Sequence, residues 1–179
     1  MIVPWARWVP SPNCSDREGW EVDAVVLHHI SLPPGEFGGG HVEAFFQNRL
    51  DPEAHPYFRE ICHLRVSAHF LIDREGRLTQ FVDTDRKAWH AGESALDGVP
   101  DVNRFSVGIE LEGDEVTPYT EAQYETLFRV LEELRAAHPR IRPERIVGHE
   151  HVAPGRKRDP GPLFDWGRVA RWAARRLGG

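Results

Sequence analysis

The stretch that decides the fold is DAVVLHHI, residues 23–30. A continuous apolar run of this length predicts a strand that is buried on both faces at the centre of a sheet. Because side chains alternate along a strand, the two histidines at its end, His28 and His29, point to opposite faces. An imidazole at the buried end of a strand is a candidate metal ligand. Spacing alone does not choose between the pair, and one structural plus one surface histidine is the plain alternative.

The segments that follow this strand predict a loop, a helix and further strands. SLPPGEFGGG, residues 31–40, combines two prolines with four glycines and must be a loop. Residues 41–50 repeat apolar side chains at helical spacing, and residues 68–82 predict two strands joined by a turn. SVGIELE, residues 106–112, alternates as a strand, with Ile109 on one face and Glu110 on the other.

The last third of the chain predicts two helices and one more strand. Thr120 and Gln123 form a capping box at the start of a helix that Pro139 ends, and residues 146–149 form a short strand. Asp165 caps a final helix, with Gly178 beyond its end. Strands interspersed with helices predict an α/β fold, a single mixed β-sheet flanked by helices. An irregular arm, residues 1–20, is expected to pack on it.

Composition sets limits on the class of protein. A chain of 179 residues fits a single domain, and a net charge of −6 argues against a nucleic-acid binder, which needs clustered Lys and Arg. No apolar run approaches the ~20 residues that span a bilayer, and the first residues lack the apolar core of a secretory signal. We therefore expect a cytoplasmic protein with no membrane partner, in which Cys14 and Cys62 are free thiols.

The segment GHEHVAPGRKRDPGP, residues 148–162, concentrates the residues that bind metals. His149 follows a short strand, and Asp159 is held before Pro160, which favours an extended backbone at Asp159. Lys157 lies two residues earlier and can reach the same region. Two imidazoles and one carboxylate leave a fourth position open on tetrahedral zinc, as catalytic sites do. The alternative is a charged, solvated loop.

Glu110 is the candidate general base. It lies in the middle of a predicted strand, and a carboxylate in a pocket can be tuned to take a proton from water. Gly108 beside it leaves room for a substrate or a water molecule. The alternative is a glutamate on an edge strand that faces solvent, as Glu112 does two residues later.

Eight segments occur in order along the sequence and together characterise one family: WVPSPN, LHHISLPPGEFGG, DPEAHPYF, HLRVSAHFLI, DRKAWHAG, FSVGIELEG, YTEAQY and APGRKRDPGPLFDW. In these segments nearly the whole chain resembles the zinc-dependent N-acetylmuramoyl-L-alanine amidases, and within them the cytoplasmic 1,6-anhydro-N-acetylmuramyl-L-alanine amidases of cell-wall recycling. The resemblance implies the fold that these amidases share with peptidoglycan recognition proteins.

The family's functional residues transfer to single positions of this sequence. The resemblance implies zinc ligands at His28, His149 and Asp159, which selects His28 over His29, and a catalytic carboxylate and lysine at Glu110 and Lys157. It also implies substrate contacts from four residues: Arg65 to a stem-peptide carboxylate, Trp89 to the sugar, the backbone around Ala153 to the peptide, and His29, which stands where related enzymes often have Asn.

The activity implied is hydrolysis of the amide bond between the lactyl group of 1,6-anhydro-N-acetylmuramic acid and L-Ala. The expected partner is a small-molecule muropeptide, the expected cofactor is Zn²⁺, and the expected state is a monomer. Two alternatives stay open. One is a muropeptide sensor that does not cleave its ligand, and the other is an amidase that acts on intact peptidoglycan.

Overall fold

The computed structural model describes residues 1–177. The strands in chain order are β1 (Arg7–Trp8), β2 (Cys14–Ser15), β3 (Ala24–Ile30), β4 (Phe70–Ile72), β5 (Leu78–Gln80), β6 (Lys87–Ala88), β7 (Ala95–Leu96), β8 (Val99–Pro100), β9 (Ser106–Glu112) and β10 (Ile146–Gly148). The α-helices are α1 (His41–Phe46), α2 (Pro56–Ile61), α3 (Glu121–Ala137), α4 (His149–Val152) and α5 (Trp166–Leu177). Two 3₁₀ turns cover Val102–Arg104 and Pro143–Arg145.

Six strands form one mixed sheet in the order β1-β5-β4-β9-β3-β10. The central strand β3 pairs in parallel with β9 and β10, and β4 pairs in parallel with β9. The β4–β5 hairpin is antiparallel. The predicted mixed sheet flanked by helices is therefore confirmed. Its centre is parallel and buried on both faces, which explains why β3 has an unbroken apolar sequence.

The alternation of side chains on the central strands separates two cores. Val25 and Ile109 face the long helices α3 and α5, in a cluster with Leu127 and Trp172. On the other face, one cluster joins α1 and α2 to β4, and a second surrounds Val26. The α3 and α5 face is sealed by apolar packing, so the chemistry lies on the opposite face.

Several local predictions are confirmed and others need correction. The capping box of Thr120 and Gln123 is present at the start of α3, and α5 begins directly after Asp165, while Gly178 lies outside the described residues. The helix predicted over residues 41–50 ends at Phe46, and Asn48 turns the chain with a φ of 60°. The strand predicted over residues 146–149 ends at Gly148, because His149 begins α4.

The arm, residues 1–20, is largely irregular, as predicted, and packs on the rest of the chain through the short strands β1 and β2 and through several side chains, among them Val3, Trp5 and Arg17. Val3 is buried in the α3 and α5 core, and the Arg129 guanidinium lies 3.8 Å from the ring centroid of Trp5. Buried Arg17 donates hydrogen bonds to backbone carbonyls around the 3₁₀ turn Val102–Arg104 and the start of β9. None of the helices in residues 1–177 has the length and apolar character needed to cross a bilayer.

Candidate active site

Three predicted ligands meet at one end of the sheet. His28 Nδ1 lies 3.0 Å from His149 Nδ1 and 2.9 Å from Asp159 Oδ2. His149 Nδ1 lies 3.1 Å from the same Asp159 oxygen. Both imidazoles are buried, and the carboxylate is partly buried. We call these three residues the ligand cluster.

The sheet register explains why the cluster forms. Gly148 on β10 is the register partner of Leu27 on β3, so His28 and His149 follow two paired residues at the same carboxyl end of the sheet. That end is where open α/β sheets bind ligands. Asp159 is fixed from both sides, because its carbonyl accepts from the Glu150 amide at 3.0 Å and the Tyr119 hydroxyl donates to the next carbonyl, that of Pro160, at 2.6 Å.

The donor set of the cluster fits a zinc ion. Two imidazole nitrogens and one carboxylate oxygen are zinc ligands, and three protein ligands leave one position open for chemistry. Ligands at zinc distances of about 2.0–2.1 Å in a tetrahedron lie roughly 3.3 Å apart, close to the separations in the cluster. The far nitrogens are already engaged, since His28 Nε2 meets His90 Nδ1 and His149 Nε2 meets the Ala91 carbonyl, each at 2.9 Å.

Hydrogen bonds also set the charge of the cluster. Burial alone would raise the pKa of Asp159, but hydrogen bonds from His149 and His28 lower that pKa overall. Burial lowers the pKa of His28. The carboxylate is therefore anionic and His28 favours its neutral form, which are the protonation states that metal ligation requires.

Glu110 lies beside this cluster on the inner strand β9, where it is the register partner of His28. It is 7% exposed, and no hydrogen bond from residues 1–177 reaches its buried Oε2. Burial raises its pKa well above the usual value, and the Asp159 carboxylate raises it further, while Lys157 lowers it. The alternative of a solvent-facing edge glutamate is wrong for Glu110 because β9 lies between β4 and β3. It is also wrong for Glu112, which is 7% exposed.

A groove of about 530 Å³ opens above the cluster and Glu110. One wall is apolar and comes mainly from α1, α2 and the segment after α2: Phe45, Phe46, Tyr57, Ile61, Leu64 and Val66. The other end is polar, with the cluster, Glu110 and the exposed Lys157. This shape offers apolar contact along one side of an extended ligand and a reactive centre at its end.

A family model described as N-acetylmuramoyl-L-alanine amidase matches residues 18–162. The chain belongs to the N-acetylmuramoyl-L-alanine amidase family. Among curated relatives of this amidase, the 1,6-anhydro-N-acetylmuramyl-L-alanine amidase AmpD of Enterobacter cloacae is 52% identical over 164 residues, which cover 91% of this chain and 87% of the relative. The resemblance to the anhydro-muramyl branch of the family is thereby confirmed.

Solved structures agree with this assignment of the amidase. The crystal structure of a selenomethionine AmpD derivative superposes with a TM-score of 0.93 at 48% identity and covers 96% of both chains. A more distant amidase, AmiD of E. coli, was solved with the substrate anhydro-N-acetylmuramic acid-L-Ala-D-γ-Glu-L-Lys. Its TM-score is 0.63 at 26% identity, with 89% of this chain and 65% of that chain covered. The predicted amidase fold is confirmed by the first of these structures.

Two of the four predicted substrate contacts line the groove of the amidase. Trp89 is half-buried, and its indole nitrogen donates to the Ser15 hydroxyl at 3.0 Å, which fixes the ring. His29 lies at the groove rim, and its buried Nε2 has no hydrogen-bond partner in residues 1–177. Both residues line the groove, but the unpaired Nε2 of His29 is buried, so the substrate contacts of both rings remain predictions.

The other two predicted contacts lie outside the groove lining of the described residues. The Arg65 guanidinium turns back on its own loop, where Nη1 donates to the carbonyls of Cys62, His63 and Leu64. The Ala153 amide donates to the His149 carbonyl, and the Ala153 carbonyl accepts from two amides, among them that of Lys157. These polar groups have internal partners, so their substrate contacts remain predictions.

His90 was not predicted as a functional residue, and the prediction that Gly108 leaves room for a substrate or a water molecule is wrong. A Cβ at Gly108 would lie 2.4 Å from His90 Cγ, so the space above Gly108 is filled by the buried His90 ring and is not open to substrate. No spacing connects His90 to His28, because the two are 62 residues apart. The only sequence signal was its place in the matched segment DRKAWHAG.

Proposed function

We propose that this amidase is a zinc enzyme that hydrolyses the bond between the lactyl group of 1,6-anhydro-N-acetylmuramic acid and L-Ala during cell-wall recycling. The observation that carries the proposal is the ligand cluster beside the unpaired Glu110 carboxylate at the end of a groove. The 52% identical relative that bears this activity in its name supports the choice of substrate. So does the anhydro-muramyl tripeptide bound by AmiD.

His28, His149 and Asp159 would hold the zinc ion through Nδ1, Nδ1 and Oδ2. Bound zinc supplies Lewis-acid chemistry, polarising the scissile carbonyl and lowering the pKa of a water molecule toward about 7. The protein's contribution here is to favour the neutral form of His28, to keep the Asp159 carboxylate ionised and to leave one coordination position free.

Glu110 would act as the general base and then as the general acid. Its carboxylate takes a proton from the attacking water and delivers one to the nitrogen of the leaving L-Ala. Burial raises the pKa of Glu110, and a pKa closer to the working pH lets one carboxyl group perform both transfers efficiently. The Oε2 atom has no hydrogen-bond partner within residues 1–177, so no side chain of that range has to release it before the exchange.

Lys157 would stabilise the negative charge that develops on the carbonyl oxygen. It lines the groove and is close enough to Glu110 and His28 to influence the pKa of each. An ammonium group is a compact point charge with three donors, which suits an oxyanion at the end of the groove. Removing one such donor typically costs roughly 100- to 1,000-fold in rate.

The rest of the groove would select the muropeptide. Trp89 would offer an aromatic face to the sugar, and His29 would contact the ligand from the groove lining. Arg65 would bind a stem-peptide carboxylate after its guanidinium leaves the carbonyls of its loop, and the backbone around Ala153 would contact the peptide. We also propose that residues 1–179 act as a single, monomeric amidase domain in the cytoplasm, on small soluble substrates.

The decisive experiment is mass spectrometry of an anhydro-muramyl tripeptide incubated with the protein. We expect free tripeptide and anhydro-muramic acid, lost with a chelator and restored by zinc. Tight binding of an intact substrate by zinc-loaded protein would replace this proposal with a non-cleaving sensor. Preferential release of peptides from sacculi would replace it with an amidase of intact peptidoglycan.

A further inference from the structure

We propose that His90 is a positioning residue for the ligand His28, and that His90 and Ala91 together form one buttress that orients both imidazoles of the ligand cluster. This inference deepens the proposed function, since it rests on the metal site assigned there. His90 itself would not ligate the metal, because its Nδ1 meets His28 Nε2.

The contact between the two rings is specific. His28 Nε2 lies 2.9 Å from His90 Nδ1, and the ring planes are inclined at 86°. His90 Nε2 continues the chain to the Ser106 hydroxyl at 3.1 Å. Both rings are buried, with His90 9% exposed. A hydrogen bond in such surroundings holds a ring orientation that water would otherwise compete for.

Metal ligation by His28 would determine which nitrogen carries the proton in each ring of the hydrogen-bonded row His28–His90–Ser106. If His28 ligates through Nδ1, its proton is on Nε2 and is donated to His90 Nδ1. His90 then carries its own proton on Nε2 and donates it to Ser106. One tautomer of each ring satisfies all three groups, and the outer partner of a ligating histidine fixes its tautomer and orientation in this way.

The second ligand is supported by the very next residue. The Ala91 carbonyl accepts from His149 Nε2 at 2.9 Å. Asn103 Oδ1 accepts from the backbone amides of both His90 and Ala91, at 3.2 and 2.9 Å. One pinned dipeptide therefore orients two ligands that lie 121 residues apart in the chain.

The sheet determines how closely the His90 ring approaches strand β9. The ring lies against Gly108 on β9, where a Cβ would come within 2.4 Å of its Cγ. Gly108 is thus a requirement of the buttress. A ring that served only to fill this space would need no polar atoms facing His28 and Ser106, and this difference separates positioning from packing.

The test compares two substitutions of His90 by measuring zinc affinity in competition with a chelator. His90→Leu removes the acceptor for His28, and we expect zinc to bind roughly 10- to 100-fold more weakly. Asn carries its amide oxygen where His90 has Nδ1, so His90→Asn should recover most of that loss. His138→Gln is the control, because His138 bonds to Thr84 and should leave zinc affinity unchanged.

Two further readouts exclude a purely structural effect. The visible spectrum of the cobalt-substituted protein reports ligand geometry and should change in His90→Leu but stay native-like in His90→Asn. Melting of the chelated protein gives the loss of fold stability separately. If His90→Leu does not fold, Ser106→Ala replaces it, with zinc binding expected to weaken about fivefold through loss of one hydrogen bond.

The outcomes separate the two proposals. Wild-type protein that fails to bind zinc would overturn the metal site and the buttress together. Wild-type protein that binds zinc, with His90→Leu or Ser106→Ala binding equally well, would overturn the buttress and leave the proposed amidase intact. If zinc binding weakens equally in His90→Leu and His90→Asn, in proportion to their loss of fold stability, then His90 only packs against its neighbours and does not position His28.

Discussion

Glu110 and His28 occupy paired register positions on the two central parallel strands, β9 and β3. Side chains at paired positions of parallel neighbours point to the same face, so the register itself brings the proposed base beside the first ligand. The pairing needs no loop to maintain it. A shift of either strand by one residue would move its side chain to the face occupied by α3 and α5.

The first prediction concerns the role of Glu110 in the reaction. Glu110→Gln keeps the shape of the side chain but cannot take a proton, so we expect kcat to fall roughly 100- to 10,000-fold while zinc content stays at one per chain. Turnover and metal analysis of the same sample check it. Glu112→Gln, the next residue on the same strand face, should lose far less activity. Near-native turnover by Glu110→Gln would remove this residue from the mechanism.

The pH dependence of stability tests the same carboxyl group without catalysis. Because burial raises its pKa, the folded chain holds the Glu110 proton more tightly than the unfolded chain does. The stabilisation is therefore complete below the ordinary glutamate pKa and is lost as pH rises through the raised pKa. Metal-free Glu110→Gln should lack this loss, so its free energy of unfolding relative to metal-free wild type should increase as pH rises.

The measurement is urea unfolding of the chelated proteins between pH 4 and 9, with Glu112→Gln as the matched control. The Glu112 carboxylate accepts from the Gly38 amide at 2.7 Å and the Arg74 amide at 3.1 Å. Its replacement should therefore lower the free energy of unfolding. A Glu110→Gln difference that does not vary with pH would show that this carboxyl group has an ordinary pKa.

The fold prediction concerns Gln123, which ties α3 to the sheet. This residue is fully buried, closes the capping box with Thr120, and donates to the carbonyls of Ile72 and Glu112. Gln123→Ala removes the side chain that accepts from the Thr120 amide and donates to two buried carbonyls, so we expect a loss of about 2–4 kcal/mol in urea unfolding. Gln47→Ala removes one hydrogen bond near the surface, to the Pro10 carbonyl, and should cost at most about 1 kcal/mol.

The sequence predicted those features of the fold and of the site that a local pattern or motif determines. The apolar run of β3, the capping box of α3 and the motif around His149 and Asp159 lie within short windows, and all three elements form. The contact of His90 with His28 and Gly108 joins three separate segments, and no local period encodes such a contact. The orientation of the Arg65 guanidinium could not be predicted either. This group donates to carbonyls of its own loop, so its orientation depends on the conformation that this loop adopts.

The last prediction concerns Lys157, whose charge and shape can be separated. Lys157→Arg keeps the charge but replaces a compact ammonium with a planar fork, so we expect kcat to fall roughly 100-fold or more with no change in the acidic limb of the pH–rate profile. Lys157→Met removes the charge as well. Because Lys157 lowers the pKa of Glu110, its loss should move the acidic limb to higher pH, since only the ionised carboxylate accepts a proton.

The chain provides its own control for this lysine. Lys87, the other lysine in the sequence, lies in β6 outside the groove lining of the described residues, and Lys87→Arg should keep native kcat and a native pH profile. Full activity in Lys157→Arg would show that the oxyanion needs charge alone at this position. An unmoved acidic limb in Lys157→Met would mean that Lys157 does not influence the proton affinity of Glu110 in the working enzyme.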